Sequence, residues 1–242
     1  MIAVSDEIAE IKREFNRLAS PEKANAKARF YKTGQGAYAE HTKFIGLSTP
    51  ELKIIAKKYK NLPVKDIKLL LQSEVHEEQA LALFILVSQY KLGDVHQKQE
   101  IYDFYLENLA YVDNWDLVDN SCPYIVGDYL LHRNKDILFK YGKSSNIWER
   151  RVAIVSTLGF IRNNEFEPTI RMAENLLNDS HDLIHKACGW MLREIYKRDP
   201  EFLIKFLKSH VARMPRTMLR YAIERFPFDE RSFYLNIKKL KG

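Results

Sequence analysis

The chain has 242 residues, 46% hydrophobic and 12% aromatic, with 38 Lys+Arg against 32 Asp+Glu and a net charge of +6. That composition excludes a disordered polymer, and two cysteines are too few for a disulfide framework or a four-thiolate metal site. No apolar run reaches the roughly 18 residues of a membrane span, and Met1-Ile2-Ala3-Val4-Ser5-Asp6-Glu7 lacks a signal peptide's basic and apolar regions, so a cytoplasmic protein is expected.

From the N-terminus onward the chain reads as helix after helix. Ser20-Pro21-Glu22, Thr49-Pro50-Glu51 and Asp199-Pro200-Glu201 each place a capping residue, a proline and an acid in the order that opens a helix. Pro63, Pro168, Pro215 and Pro227 mark further starts or turns. Between the second and third helices lies a Gly-rich loop, Thr33 to Gly46, whose centre has the composition of a small hairpin. Longer helices then open near residues 76, 114, 146, 181 and 215, each after a shorter one, at spacings of 38, 32, 35 and 34. That near-constant period indicates stacked helical pairs of the HEAT type. The expected fold is all-α, a single domain over 1–242 whose HEAT-like repeats form a curved α-solenoid with a concave face. Pro123 is the one proline inside a helix, and it removes the hydrogen bond to the Asp119 carbonyl. Either the helix bends there or it ends and restarts.

Charged residues that interrupt apolar stripes are the candidate functional groups. Steps of 100° put Arg151 in the middle of the apolar face made by Ile147, Ile154, Leu158 and Ile161, with Arg150 at its edge. A guanidinium does not lose its charge, so an anion is expected to meet it. Asp119 breaks the stripe of Trp115, Cys122, Val126 and Leu130 in the same way, and Trp115 and Asp119, four apart, project together. Taken alone, each pattern is more commonly a core aromatic with a structural ion pair. A third element shifts the balance: Lys186, Trp190, Arg193 and Lys197 alternate base and aromatic along one helix face, as suits a sugar-phosphate backbone. Arg213, Arg216 and Arg220 form a second basic ridge, and Thr217 stands at a helix N-terminus, where backbone N–H groups favour phosphate. Residues 181–242 hold 14 Lys+Arg against 7 Asp+Glu, whereas 94–128 holds eight carboxylates and one lysine. That asymmetry fits a polyanion held in one place while chemistry occurs in another.

Two other patterns point elsewhere and are weaker. His181 and His185 share a helix face like a zinc motif, but Asp182 stands where a longer general-base Glu is needed, and no third ligand is apparent. Gly34 and Gly36 lack the Gly-Lys-Ser/Thr ending of a phosphate loop.

Four strings together resemble the AlkD-like DNA alkylation repair family. They are Asn114-Trp115-Asp116-Leu117-Val118-Asp119, Asn146-Ile147-Trp148-Glu149-Arg150-Arg151-Val152-Ala153-Ile154, Lys186-Ala187-Cys188-Gly189-Trp190-Met191-Leu192-Arg193-Glu194 and Arg216-Thr217-Met218-Leu219-Arg220-Tyr221-Ala222. The likeness runs in order along nearly the whole chain. It implies HEAT-like repeats and a monofunctional glycosylase that releases cationic alkylpurines from double-stranded DNA. Carried over by motif, Trp115 and Trp190 resemble the family's sugar-facing tryptophans, Asp119 its catalytic carboxylate and Arg151 its site arginine. Where relatives show a site tyrosine, alignment on Lys32 places Phe30, with Tyr31 adjacent. Spacing in ridges and at a helix N-terminus points to phosphate contacts from Lys186, Arg193, Lys197, Arg216, Thr217 and Arg220. The implied chemistry asks for no metal, nucleotide or other cofactor, and a monomer without a membrane partner is expected. The other readings are a non-catalytic HEAT-like protein for branched or damaged DNA, which would not need Asp119, and a protein-interaction scaffold without salt-dependent DNA affinity.

Overall fold

The structure, a computed structural model, describes residues 5–237. Among the described residues there is no strand, and the isolated bridge joins Lys43 to Val75. The Gly-rich loop therefore forms turns, not the expected hairpin, because its C-terminal end pairs with the residue before a helix instead of with itself: Lys43 N donates to Glu74 O and His76 N to Lys43 O. No described helix is long and apolar enough to cross a membrane.

Packing divides the chain after Ser121 into two compact units. The first comprises α1 (Asp6–Leu18), α2 (Pro21–Tyr31), α3 (Thr49–Lys58), α4 (Val64–Leu71), α5 (His76–Leu92), α6 (Val95–Glu107) and most of α7 (Trp115–Cys122). The second follows with α8 (Asp128–Leu130), α9 (Asp136–Tyr141), α10 (Ile147–Val155), α11 (Leu158–Arg162), α12 (Glu167–Asn175), α13 (Asp182–Tyr196), α14 (Pro200–His210), α15 (Arg216–Ala222) and α16 (Phe228–Asn236).

The helix starts follow from capping chemistry. Ser20 Oγ accepts from Lys23 N ahead of Pro21, and Asp199 Oδ1 accepts from Glu201 N ahead of Pro200. The third start lies one residue earlier than expected: Ser48, not Thr49, is the cap, because Glu51 reaches back to both Ser48 N and Ser48 Oγ at 2.6 Å. Those two bonds hold the Glu51 carboxyl below its usual range. α5, α7, α10, α13 and α15 open at His76, Trp115, Ile147, Asp182 and Arg216, within one residue of the predicted period. The last departs in length. α15 has seven residues and follows the eleven-residue α14, since Pro227 already caps α16.

At Pro123 the helix neither ends nor restarts. Cys122, Gly127 and Asp128 keep helical dihedrals and Pro123–Gly127 winds as a π-helix, which accommodates the missing N–H within continuous helical backbone. In the second unit Gly127 and Gly159 let this segment meet the start of α11 backbone to backbone. A Cβ on Gly159 would lie 2.7 Å from Gly127 C.

The cores are apolar and specific. α5 presents Leu81, Leu83, Ile85 and Leu86 to α3 and α4 in the first unit. In the second, α13 packs between α10 and α15 through Ala187, Cys188, Met191, Met218 and Leu219. Every residue from Arg151 to Ile161 is buried, so α10 is enclosed all round instead of along one stripe. Cys122 and Cys188 are buried and are not joined in a disulfide.

Gly189 sets how closely α13 and α15 approach. A Cβ there would lie 2.5 Å from both Met218 O and Tyr221 Cβ, and the carbonyl belongs to helix backbone that cannot rotate aside. Gly189→Ala is expected to cost about 1–3 kcal/mol by overpacking, read as a lower urea midpoint at unchanged slope. An unchanged midpoint would show that the two helices separate freely.

Candidate functional site

The first unit builds a polar and aromatic cluster from three segments. α2 contributes Lys27, Phe30 and Tyr31, the loop before α3 contributes Phe44 to Leu47, and the N-terminal turn of α5 contributes His76 and Glu77. Glu77 is fully buried. Its carboxylate accepts from Gly46 N at 3.0 Å, from Ile45 N at 3.2 Å and from Lys27 Nζ at 3.0 Å. Lys27 Nζ also donates to Leu47 O. One buried acid thus gathers helix, loop and helix N-terminus, where the dipole of a 17-residue helix favours a negative charge.

On that frame stand the rings. Tyr31 lies parallel to Trp115, with centroids 5.2 Å apart and planes 14° apart, and Phe30 meets the same indole edge-on at 5.9 Å. Phe44 and His76 pack on the other contacts of Tyr31, at 4.9 and 5.2 Å. The Tyr31 hydroxyl donates to Asp116 Oδ2 at 2.9 Å, and His76 Nε2 meets the same oxygen at 2.8 Å. Burial first, and then the Asp116 carboxylate, push the Tyr31 phenol well above its ordinary pKa. Behind these groups is a cavity of about 50 Å³, lined among others by Lys27, Tyr31, Thr49, His76, Asp116 and Asn120.

Sequence reasoning singled out Trp115 and Asp119, and both are half-buried on α7 at the expected spacing. It gave no role to Asp116 or His76 and named Tyr31 only as the neighbour of Phe30; Tyr31 and His76 are 85 and 40 residues from their common partner, Asp116. Phe30 is 67% exposed, and a phenol lies against Trp115 from the next position of α2, Tyr31.

In the second unit the anticipated cations are largely engaged. Arg151 is 5% exposed, and its Nη1 donates to Leu183 O at 2.7 Å, tying α10 to α13. Arg150, read as a polar-edge residue, is also engaged: Nε and Nη2 reach the Asp179 carboxylate at 2.6 and 3.4 Å, and Nη1 caps the Ser144 and Ser145 carbonyls. On α13, Lys186 pairs with Asp182 at 2.8 Å, Lys197 with Glu194, and Arg193 with Glu224. Trp190 Nε1 donates to Glu194 Oε1 at 3.2 Å. Glu194 and Glu224 carried no weight in the sequence pattern, yet they balance its basic face. Arg216 Nη1 donates to Leu235 O at 2.5 Å, Thr217 is the second residue of α15, and Arg220 is exposed with no ion pair among the described residues. Burial raises the Asp182 carboxyl, but bonds from Lys186 and Thr217 outweigh that and hold it low. The two histidines of the zinc-like pattern are used structurally: His181 Nδ1 accepts from Leu183 N, and His185 Nε2 meets Asp179 O. Among the described residues no group of three potential ligands could hold a metal.

A family model described as DNA alkylation repair enzyme matches residues 11–226. The chain belongs to that family. Its role is therefore in DNA repair, and the match spans both units. Among solved structures it is similar to a predicted DNA alkylation repair enzyme from Enterococcus faecalis, at 18% identity and a TM-score of 0.67, covering 87% of this chain and 97% of that one. It is also similar to AlkD2 from Streptococcus mutans, at 17% identity and a TM-score of 0.51, covering 97% and 98%. No curated protein matches the sequence. At these identities the structural likeness supports the all-α helical-repeat fold; the family assignment rests on the match over residues 11–226.

The Lys27–Glu77 pair yields a stability prediction. Lys27→Met leaves a fully buried carboxylate facing only two backbone donors, and is expected to cost about 3 kcal/mol. Lys27→Met/Glu77→Gln should recover part of that loss in denaturant titrations. If the single substitution proves neutral, Glu77 does not depend on the lysine.

Proposed function

We propose that this chain is a DNA glycosylase that hydrolyses the N-glycosidic bond of cationic alkylated purines in duplex DNA. The observation that carries the reading is the placement of Trp115 and Asp119 four residues apart on α7, with the indole backed by Tyr31 and Phe30. An indole held from behind offers its remaining surface to an apolar sugar, and a carboxylate one turn on supplies negative charge where an oxocarbenium-like sugar develops positive charge. A base that is already cationic leaves without a proton donor, so the reaction asks chiefly for that electrostatic stabilisation and a positioned water. Asp119 would provide both. Trp115 and Trp190 would pack on deoxyribose and keep out bulk solvent. Arg151 orders α13 through its bond to Leu183 O, and a phosphate contact by the same guanidinium belongs to this reading.

Lys186, Arg193, Lys197, Arg216, Thr217 and Arg220 would contact phosphate, which positions a duplex without reading its sequence. For the first three, each phosphate contact competes with an acidic partner already in place. The proposed protein acts as a monomer, without a cofactor, in the cytoplasm.

Asp119→Asn is expected to lower single-turnover release of 7-methylguanine by on the order of 100- to 1,000-fold, with duplex affinity nearly unchanged. A wild-type rate in that variant would remove Asp119 from the mechanism. Full duplex affinity without any base release by the wild type would favour the non-catalytic DNA-binding reading.

The ion pairs set an order among the basic residues. Arg220→Ala should weaken binding to every duplex and reduce the log–log salt slope by about 0.9, the full effect of one phosphate contact. Lys197→Ala should change the slope less, because Glu194 already neutralises that ammonium. Filter-binding titrations over a salt series decide this, and an equal loss from both would show that the α13 ion pairs open on DNA.

A further inference from the structure

Asp116 is the junction of the buried cluster, and the glycosylase reading gives it no role. Tyr31 and His76 converge on one of its oxygens, Oδ2, while Oδ1 is buried without a partner. His76 is 2% exposed, and its Nδ1 is likewise buried and unpaired. A carboxylate oxygen only accepts, so Nε2 carries the ring proton toward Asp116, and in the neutral imidazole Nδ1 is an acceptor. Both residues line the same 50 Å³ cavity. A water needs roughly 10–15 Å³ by such a measure and two or more polar partners, so the cavity has room for ordered water to complete both.

Buried polar groups that converge on one carboxylate specify the geometry of the groups they join. What they specify is the orientation of one ring. The Tyr31 hydroxyl is fixed at its far end by Asp116 Oδ2, and the ring between that bond and α2 lies within 14° of the Trp115 plane. Stacked rings slide easily over one another. A hydrogen bond at the rim removes that freedom. His76 in turn holds the carboxylate from the N-terminus of α5, which Glu77 anchors to α2 and the loop.

We propose that Tyr31, Asp116 and His76 are positioning residues that fix the Trp115 indole in the plane required for sugar packing. Their effect on catalysis rests on the glycosylase reading; their effect on the indole does not.

The test uses the full chain in two parallel measurements. In ¹H–¹⁵N spectra the three tryptophans give separate indole N–H signals, the one from Trp115 being assigned with Trp115→Phe. Tyr31→Phe keeps the ring and deletes only the rim hydrogen bond, and Asp116→Asn weakens its acceptor. Both should shift or broaden the Trp115 signal while those of Trp148 and Trp190 stay in place. The same variants should lower single-turnover release of 7-methylguanine by about 10- to 100-fold, the scale of a small misplacement at a reacting centre. Duplex affinity should remain within about twofold, because phosphate contacts carry it. His76→Gln keeps a donor toward Asp116 and should retain more activity than His76→Leu at similar thermal stability. If Asp116→Asn does not fold, Tyr31→Phe and the His76 pair decide.

An unmoved Trp115 signal in Tyr31→Phe overturns the proposal, whatever the rate does. So does a moved signal with an unchanged excision rate when Asp119→Asn is inactive. If the wild type releases no base, the glycosylase reading fails, and positioning of the indole is decided by the spectra alone.

Discussion

The first unit depends on one buried carboxylate. Glu77 has no exposed surface, and it is stabilised by two backbone N–H groups of the loop and by the Lys27 ammonium of α2. An ionised acid is tolerated inside a protein only when charge and hydrogen bonds replace lost water. Meeting that condition forces the loop and both helices into register. With α2 fixed, Tyr31 has one place to go, and with α5 fixed, His76 faces it. The aromatic platform under Trp115 is thus a consequence of satisfying an acid that never touches it.

The second unit uses its charges differently. Residues 181–242 are strongly basic by count, but Lys186, Arg193 and Lys197 each sit beside a carboxylate, and Arg150 and Arg151 bind backbone carbonyls or Asp179. Such pairs hold long side chains in extended, ordered positions. Surface pairs contribute little stability, so under the proposed DNA-binding reading these acids would give way to phosphate. Arg220, exposed and without an ion pair among the described residues, is the contrasting case.

The alternative readings weighed on the sequence differ in what they require of α7. A scaffold needs an apolar face there, and a non-catalytic DNA-binding protein needs cations elsewhere. The half-buried Trp115 indole has two aromatic neighbours, a carboxylate on the next turn of α7, and beside it a second carboxylate held by a tyrosine and a histidine. Under the proposed glycosylase reading, holding that ring in place would serve transition-state complementarity.

Helix starts were legible in the chain because caps and prolines act over three or four residues, and the repeat period was legible because each helical pair restates the same local signals. That Trp115 and Asp119 share one helix was legible for a similar reason: a four-residue spacing on a helix is a geometric statement in itself. Arg151 was rightly placed on a buried face, but its Leu183 partner lies 32 residues away and could not be named. Tyr31, His76 and Asp116 were invisible as a group. Each is an ordinary polar residue in its own segment, and only the packing of α2, the loop and α5 around Glu77 brings three side chains to one oxygen. The same limit applied to charge, since a lysine count does not tell which ammonium already faces an acid. Short-range patterns decide elements because their interactions close within a turn; the site was decided by contacts across dozens of residues, which exist only once the core has formed.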